Sequence, residues 1–416
     1  MMNKTLDCPE FTENHEYILE KLTFWIEGVV QCVIGFGGLC GNFLSAYILS
    51  RDEMQNSFNL LLIALLTFDS WYLFGGILES FRRQFDMGTE LHTLLFPYFL
   101  YPAQSIAMSA SIFMTVAIAW ERYIAVHYPI DYNQSNGCPK AIRRRLIKYL
   151  VPVLLISIIF NIPKFLEARI VYGFPKIMDG NNTTTQHLKS IPMIRVTELR
   201  KNPNYAIYYN NWTRLAILGI IPACMLIYLN YKIYKDIKQR QIRRRQSTSQ
   251  VTINHQARRR QEDNLAVVFM GIVGVFLLCH ILRIFINLHE MLVIRPAMEC
   301  REAKLPAFPF WVLVTTVFSH LLLVFNSSTN MIIYCSLNAT FRRHFVEILR
   351  RCCFSWIIFK RSSNYDGDAT NNSIQMTEVD HHGSDNKINQ SSHNSNNKKI
   401  GKKRKKLCGL SMNTAI

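Results

Sequence analysis

The sequence predicts an all-α membrane protein: a seven-transmembrane helix bundle followed by a short amphipathic surface helix. Three observations carry this prediction. Hydrophobic residues make up 49% of the 416 positions and are gathered into blocks rather than spread as in a soluble core. Seven of those blocks contain or approach the roughly 20 apolar residues that cross a hydrocarbon core as a helix. The 47 Lys and Arg residues fall mostly on one side of the blocks, as the positive-inside rule requires. Helix is the only open-chain solution in lipid, because each backbone amide must find its partner within the segment.

Residues 1–23 are polar and acidic, without the apolar run and small-residue cleavage site of a signal peptide, and read as an extracellular N-terminal arm. The transmembrane domain, 24–335, has spans at Phe24–Leu49, Phe58–Leu78, Leu94–Ala119, Ile147–Leu166, Ile207–Ile233, Leu265–Leu292 and Phe308–Ile333. Span one carries Gly38-x-x-Gly41-Asn42, small residues that admit a close neighbour and an amide that can bond across helices. Span two carries Asp69, span three Ser111, and span seven Asn326, Ser327 and Asn330. Span three closes on Glu121-Arg122-Tyr123, an acid and a base at a membrane edge, where charge is expensive unless paired or used.

The loop Glu167–Tyr205 holds glycosylation sequons at Asn181 and Asn182, and the arm holds another at Asn3. The loop Lys232–Glu262 and the tail are basic, which puts the tail in the cytosol and Met1 outside a multi-pass plasma-membrane protein. The runs Arg243–Arg245, Arg258–Arg260 and Lys402–Lys406 fit topology and contact with anionic membrane lipids; nucleic-acid binding does not suit a polytopic chain. Residues 336–353 contain Phe341, Phe345, Ile348 and Leu349 on one side of a helix with Arg342, Arg343 and Arg350 among its polar positions, then Cys352-Cys353 as a palmitoylation site. Residues 354–416, rich in Asn, Ser, Asp and Lys, cannot bury a core and form a disordered cytosolic tail with candidate phosphosites.

Polar residues in spans turn inward and cluster. Asp69, Ser111, Asn326, Ser327 and Asn330 lie at depths that allow one shared cavity. A carboxylate with hydroxyl and amide oxygens suits a hard cation such as Na⁺, and a water-filled network without a specific ion fits the same residues. At the inner mouth, a pair between Arg122 and Glu262 would tether spans three and six as a two-state contact. Ordinary interfacial charges snorkelling to water are the other reading. Of the 11 cysteines only Cys8 and Cys300 fall on the outer side, where a disulfide can form. Dispersed histidines (His127, His280, His289, His320) do not make the convergent cluster of a membrane enzyme. An odd span count without internal repeats argues against a transporter. Seven spans with a charged triplet closing the third point to a signalling receptor.

The ordered set Gly41-Asn42, Asp69, Glu121-Arg122-Tyr123, Pro222, Phe276-x-x-Cys279 and Asn330-x-x-x-Tyr334 resembles rhodopsin-class G-protein-coupled receptors from about Phe24 to Cys353. The resemblance implies that Glu121, Arg122, Tyr123, Glu262, Asn330 and Tyr334 form the switch and that Asp69, Ser111, Asn326 and Asn330 form an allosteric sodium pocket, with no other cofactor. It also implies an extracellular ligand, a heterotrimeric G protein, an arrestin and a receptor kinase as partners. Several positions depart from the family pattern: Met331 for proline, His280 and Leu282 for the usual Trp and Pro of span six, Asn230 for tyrosine, Val153 for tryptophan. Pro97 replaces the span-three cysteine and Glu167–Tyr205 contains none, so the customary disulfide is absent and a Cys8–Cys300 bridge gains interest.

Gln104 stands where amine receptors place an aspartate, and Val324 where opsins place the retinal lysine. Phe160–Glu167 and the stretch from Thr197 through Pro203 to Trp212 resemble invertebrate FMRFamide-type and myosuppressin-type neuropeptide receptors, which implies a peptide ligand. Glu79, Gln104, Arg283, Asn287, Glu290 and His320 lie in outer halves or ends of spans and are candidate ligand contacts, Glu79 and Gln104 first. Tyr98, Tyr101 and Phe310 could wall the cavity. A receptor homologue that signals constitutively or without ligand response is the rival reading, given the altered span six.

Overall fold

The computed structural model describes residues 8–54, 56–128, 132, 139–173, 191–246, 253–303 and 305–351, apart from the side chains of 139, 243–246 and 253–265. Asn3, Asn181, Asn182, Cys352 and Cys353, expected to carry modifications, lie outside the described residues.

Seven helices are long and apolar enough to cross a membrane: α1 Glu13–Leu49, α2 Ser57–Arg83, α3 Glu90–His127, α4 Lys140–Leu166, α5 Tyr205–Ile242, α6 Ala266–Glu302 and α7 Phe310–Ser328. The chain is thus a multi-pass membrane protein. A final helix, α8, covers 339–351. Phe43, Leu292 and Leu278 are over 70% exposed in the isolated chain, and lipid would cover such residues. The core is an aliphatic and aromatic layer that includes Leu61, Leu65, Met114, Ile118, Phe269 and Phe276.

Two boundaries differ from expectation. Helix α1 starts at Glu13, not Phe24, because Thr12 is extended and the acidic first turn (Glu13, Glu16) complements the helix dipole. Helix α6 belongs to an unbroken 50-residue helix, Ile253–Glu302, whose internal proline is Pro296, near its C-terminal end. With leucine at 282 the helical ladder passes the middle of the span without a missing donor.

Helices α1 and α7 approach closely where the sequence is small. A Cβ built on Gly38 would lie 2.8 Å from the Ser328 Cα. Asn42 Nδ2 donates to the Ser327 carbonyl at 3.0 Å. Helix α7 pauses at Thr329 and resumes as Asn330–Leu337. Beyond it Asn338 Oδ1 accepts from the Phe341 amide at 3.1 Å, starting α8, whose Phe341 is buried against Tyr334.

The stretch read as a long loop, Glu167–Tyr205, contains an antiparallel pair: β1 Ala168–Gly173 and β2 Ile191–Val196, with Ala168 opposite Val196 and Gly173 opposite Ile191. Ile170, Val171, Ile191, Ile194 and Val196 supply the β-branched side chains that a pleated ribbon favours. This ribbon marks one end of the bundle, the hairpin end; Arg122 marks the other.

Candidate functional site

At the Arg122 end the described hydrogen bonds of Arg122 run to α3 itself and to the residues after it. Arg122 Nε and Nη2 donate to Glu121 Oε2 at 2.8 and 2.5 Å. The Tyr132 hydroxyl accepts from Arg122 Nη2 and donates to Glu121 Oε1. The guanidinium lies 4.2 Å from the centroid of the Phe58 ring on α2, a cation–π contact. Both Glu121 and Arg122 are 1% exposed, so the two charges neutralise one another inside the bundle. Tyr123 turns away and stacks on His127 at 5.3 Å; His127 Nδ1 lies 2.9 Å from Asp236 on α5. The side chain of Glu262, the expected partner, lies outside the described residues. Tyr132 was not anticipated: a single tyrosine in a connecting stretch carries no periodic signal.

Mid-bundle, the polar residues of three helices meet. Asp69 Oδ1 accepts from Ser111 Oγ at 2.7 Å and Ser327 Oγ at 3.0 Å, and Oδ2 accepts from Asn330 Nδ2 at 2.8 Å. A cavity of about 10 Å³, the size of one water molecule, adjoins this cluster and is lined by Ser111, Asn326, Ser327, Phe276 and His280 among others. The donor set fits a small monovalent cation with one change. Asn330 presents a nitrogen to the carboxylate and so steadies it, while Ser327, a member of the expected cavity though not of the quartet the resemblance implies, brings an oxygen. His280 stacks on Phe276 with ring centroids 3.9 Å apart, and its Nδ1 lies 2.9 Å from the Phe276 carbonyl. The hydroxyl of Tyr334 is buried without a hydrogen-bond partner among the described residues.

Toward the hairpin end, α1, α6 and α7 share a polar chain. His320 Nδ1 lies 2.7 Å from Glu27 Oε1 and its Nε2 lies 3.3 Å from Arg283 Nη1. An arginine can only donate, so Nε2 accepts and Nδ1 carries the proton donated to Glu27. Asn287 and Glu290 follow Arg283 at positions i+4 and i+7 on the same face of α6, both half-buried. Glu79 is not part of this set; it is bound to Arg82 at 2.6 Å and to Arg83, on its own helix. Gln104 packs beside Gly75, where an added Cβ would meet its Cγ at 3.0 Å. Tyr98 is exposed, and Phe310 stacks on His15 at 4.6 Å. Glu27 escaped the sequence reading because a lone acid near the start of an apolar block looks like an interface charge.

A second buried cluster joins α3, α4 and α5 beneath the hairpin. Glu167, 1% exposed, accepts from Lys164 Nζ at 2.5 Å, Tyr101 OH at 2.6 Å and Tyr205 OH at 2.8 Å. Lys164 also donates to Asn210 Oδ1 at 2.8 Å. Burial pushes the Glu167 carboxyl up, but the Lys164 ammonium and the hydroxyl donors outweigh it and hold the group below the ordinary glutamate range. Cys8 and Cys300 are joined by a disulfide, Cα to Cα 5.8 Å, which fastens the arm to the end of α6.

Residues 41–334 match the family described as 7 transmembrane receptor (rhodopsin family). The chain is similar to the FMRFamide receptor of Drosophila melanogaster, 27% identical over 378 residues, covering 87% of this chain and 62% of that receptor. It therefore spans a little under two thirds of that relative's length. A probable G-protein coupled receptor of Caenorhabditis elegans, frpr-1, is 25% identical over 81% of this chain and 82% of its own. Sex peptide receptor-related protein 2 of the same organism is 22% identical over 81% and 75%. With a match that takes in the end of α1 and all of α2 to α7, this chain belongs to the rhodopsin family of seven transmembrane receptors.

Proposed function

We propose that this chain is a plasma-membrane receptor that binds an extracellular peptide and activates a heterotrimeric G protein. Its arm and hairpin end face outside, and the Arg122 end and tail face the cytosol. The observation that carries the reading is the enclosed Glu121–Arg122–Tyr132 knot at one end of a bundle whose other end holds the Glu27–His320–Arg283 chain. A charge pair removed from water in one state and released in another is the kind of element a ligand can bias from a distance. Similarity to an FMRFamide receptor favours an amidated, arginine-containing peptide. Glu27 and Glu290 can take the peptide cation by charge-assisted bonds, and Trp311 and Phe310 can face its aromatic groups.

In this reading Arg122, the residues Val126–Arg145 and the basic ends of the third inner loop meet the G protein, and an arrestin and a receptor kinase act on the tail. Asp69, Ser111, Ser327 and Asn326 hold a sodium ion in the resting state, and Asn330 orients the carboxylate. The ion would screen the buried charge and favour the closed bundle.

The test is a screen of amidated neuropeptides, Phe-Met-Arg-Phe-amide among them, on cells expressing the receptor, read by G-protein dissociation. A response confined to arginine-containing amidated peptides and lost in Arg122→Ala at matched surface level is expected. Silence toward every peptide, with a response to an amine, overturns the ligand class.

A further inference from the structure

The first turns of α1 form a feature that neither the Arg122 switch nor the inner polar chain uses. Phe11, His15 and Leu19 recur at helical spacing toward the residues before and within α7. Phe11 and His15 pack on the Phe310 ring, at 6.3 and 4.6 Å. Between them opens a groove of about 420 Å³ lined by Phe11, Leu19, Pro306, Phe308 and Leu313, with Glu16 as its charged wall. The Cys8–Cys300 bond and the ring stack hold both walls in place, so the groove is formed before anything enters it.

Its edge is acidic. Glu13 and Glu20 lie three residues before and four after Glu16, on the same helix face, and all three are exposed. No ion pair to any of the three is present among the described residues. This contrasts with a chain whose net charge is +18. An acidic rim repels anionic lipid headgroups and attracts cations, while the apolar floor rewards a large aliphatic or aromatic side chain.

We propose that this groove is a second ligand subsite, which takes a basic and apolar segment of the peptide outside the part seated on Glu27, His320 and Arg283. The inference rests on the peptide-receptor reading above. The subsite makes the arm a selector of longer peptides: the inner chain sets whether a ligand binds, and the groove sets how much its extension adds.

The experiment compares Phe-Met-Arg-Phe-amide with Lys-Lys-Leu-Phe-Met-Arg-Phe-amide by radioligand displacement on membranes carrying the full chain. The extended peptide should bind about tenfold tighter, from one apolar side chain and an exposed charge pair. In Glu16→Lys, and separately in Leu19→Asp, that advantage should fall to about twofold or less, while the bare tetrapeptide keeps its wild-type affinity and shows the receptor intact. Equal affinities in the wild type overturn the subsite. So does an advantage that persists in both variants, since the extension then binds elsewhere on the receptor. Saturable binding of neither peptide overturns the subsite together with the reading on which it rests.

Discussion

Replacing Lys164 with Met should leave Glu167 as a buried carboxylate with the Tyr101 and Tyr205 hydroxyls and, at 3.9 Å, only the half-exposed Arg200 guanidinium near at hand. Breaking a buried pair by removing one partner costs about 3–5 kcal/mol, because the remaining charge has left water without compensation. At roughly 2 °C per kcal/mol for a domain of this size, Tm should fall by about 6–10 °C. Glu167→Gln should cost less, about 1.5–3 kcal/mol, since the amide oxygen can still accept from one of the two tyrosines, which reach different carboxylate oxygens, while Lys164 loses its counter-ion. The double variant, neutral on both sides, should recover to within about 1–2 kcal/mol of the wild type, a coupling that only direct contact produces. The sign with pH follows from the depressed Glu167 value: the contribution is present at neutral pH and is lost as pH falls below about 4.3, through the lowered folded value. The assay is thermal unfolding of the receptor in nanodiscs, followed by a thiol-reactive dye that reaches buried Cys279 only on opening. Additive effects in the double variant, or single variants within about 1 kcal/mol of wild type, would refute the idea that this cluster ties α3, α4 and α5 together.

Gly38→Ala should destabilise by about 1–3 kcal/mol, because the new Cβ meets the Ser328 backbone, whereas Gly37→Ala, with nothing within 4 Å of its Cβ, should be silent; surface expression and Tm report both. Tyr132→Phe removes the hydroxyl shared by Glu121 and Arg122 and should loosen the knot by about 1 kcal/mol, seen as a roughly fivefold rise in ligand-free G-protein activation. No rise would remove Tyr132 from the latch. Asp69→Asn should abolish any sodium dependence of agonist affinity; a dependence that survives it places the ion elsewhere.

The spans were legible because a bilayer imposes a length: an apolar run that must cross about 30 Å leaves no other structure open to it. The meeting of Asp69, Ser111, Ser327 and Asn330 was legible for a related reason, since polar groups in such runs have only the bundle interior to turn to. Contacts made by residues near the membrane surface were not. Glu79 had water and neighbouring arginines within reach on its own helix, so its depth did not fix its partner. Tyr132 and Tyr205 are aromatic residues whose hydroxyls act at single points, and no periodicity exposes that. Lys164 and Glu167 lie in Phe160–Glu167, whose resemblance to other receptors says nothing of their contact, yet their spacing of three on a helical turn already allows the pair. The hairpin was missed because six-residue strands in a long polar connection give too little alternation to read.

The bond between Cys8 and Cys300, 292 positions apart, makes a covalent ring of everything between them. Helices α1 to α6 lie within that ring, and α7 and α8 hang from it as a tail. A protease that cuts once in any connection from α1 through α6 therefore opens the ring without dividing the molecule, and the pieces part only on reduction. A cut between Cys300 and α7 divides it at once. The same protease site thus gives opposite outcomes on a non-reducing gel according to which side of Cys300 it falls.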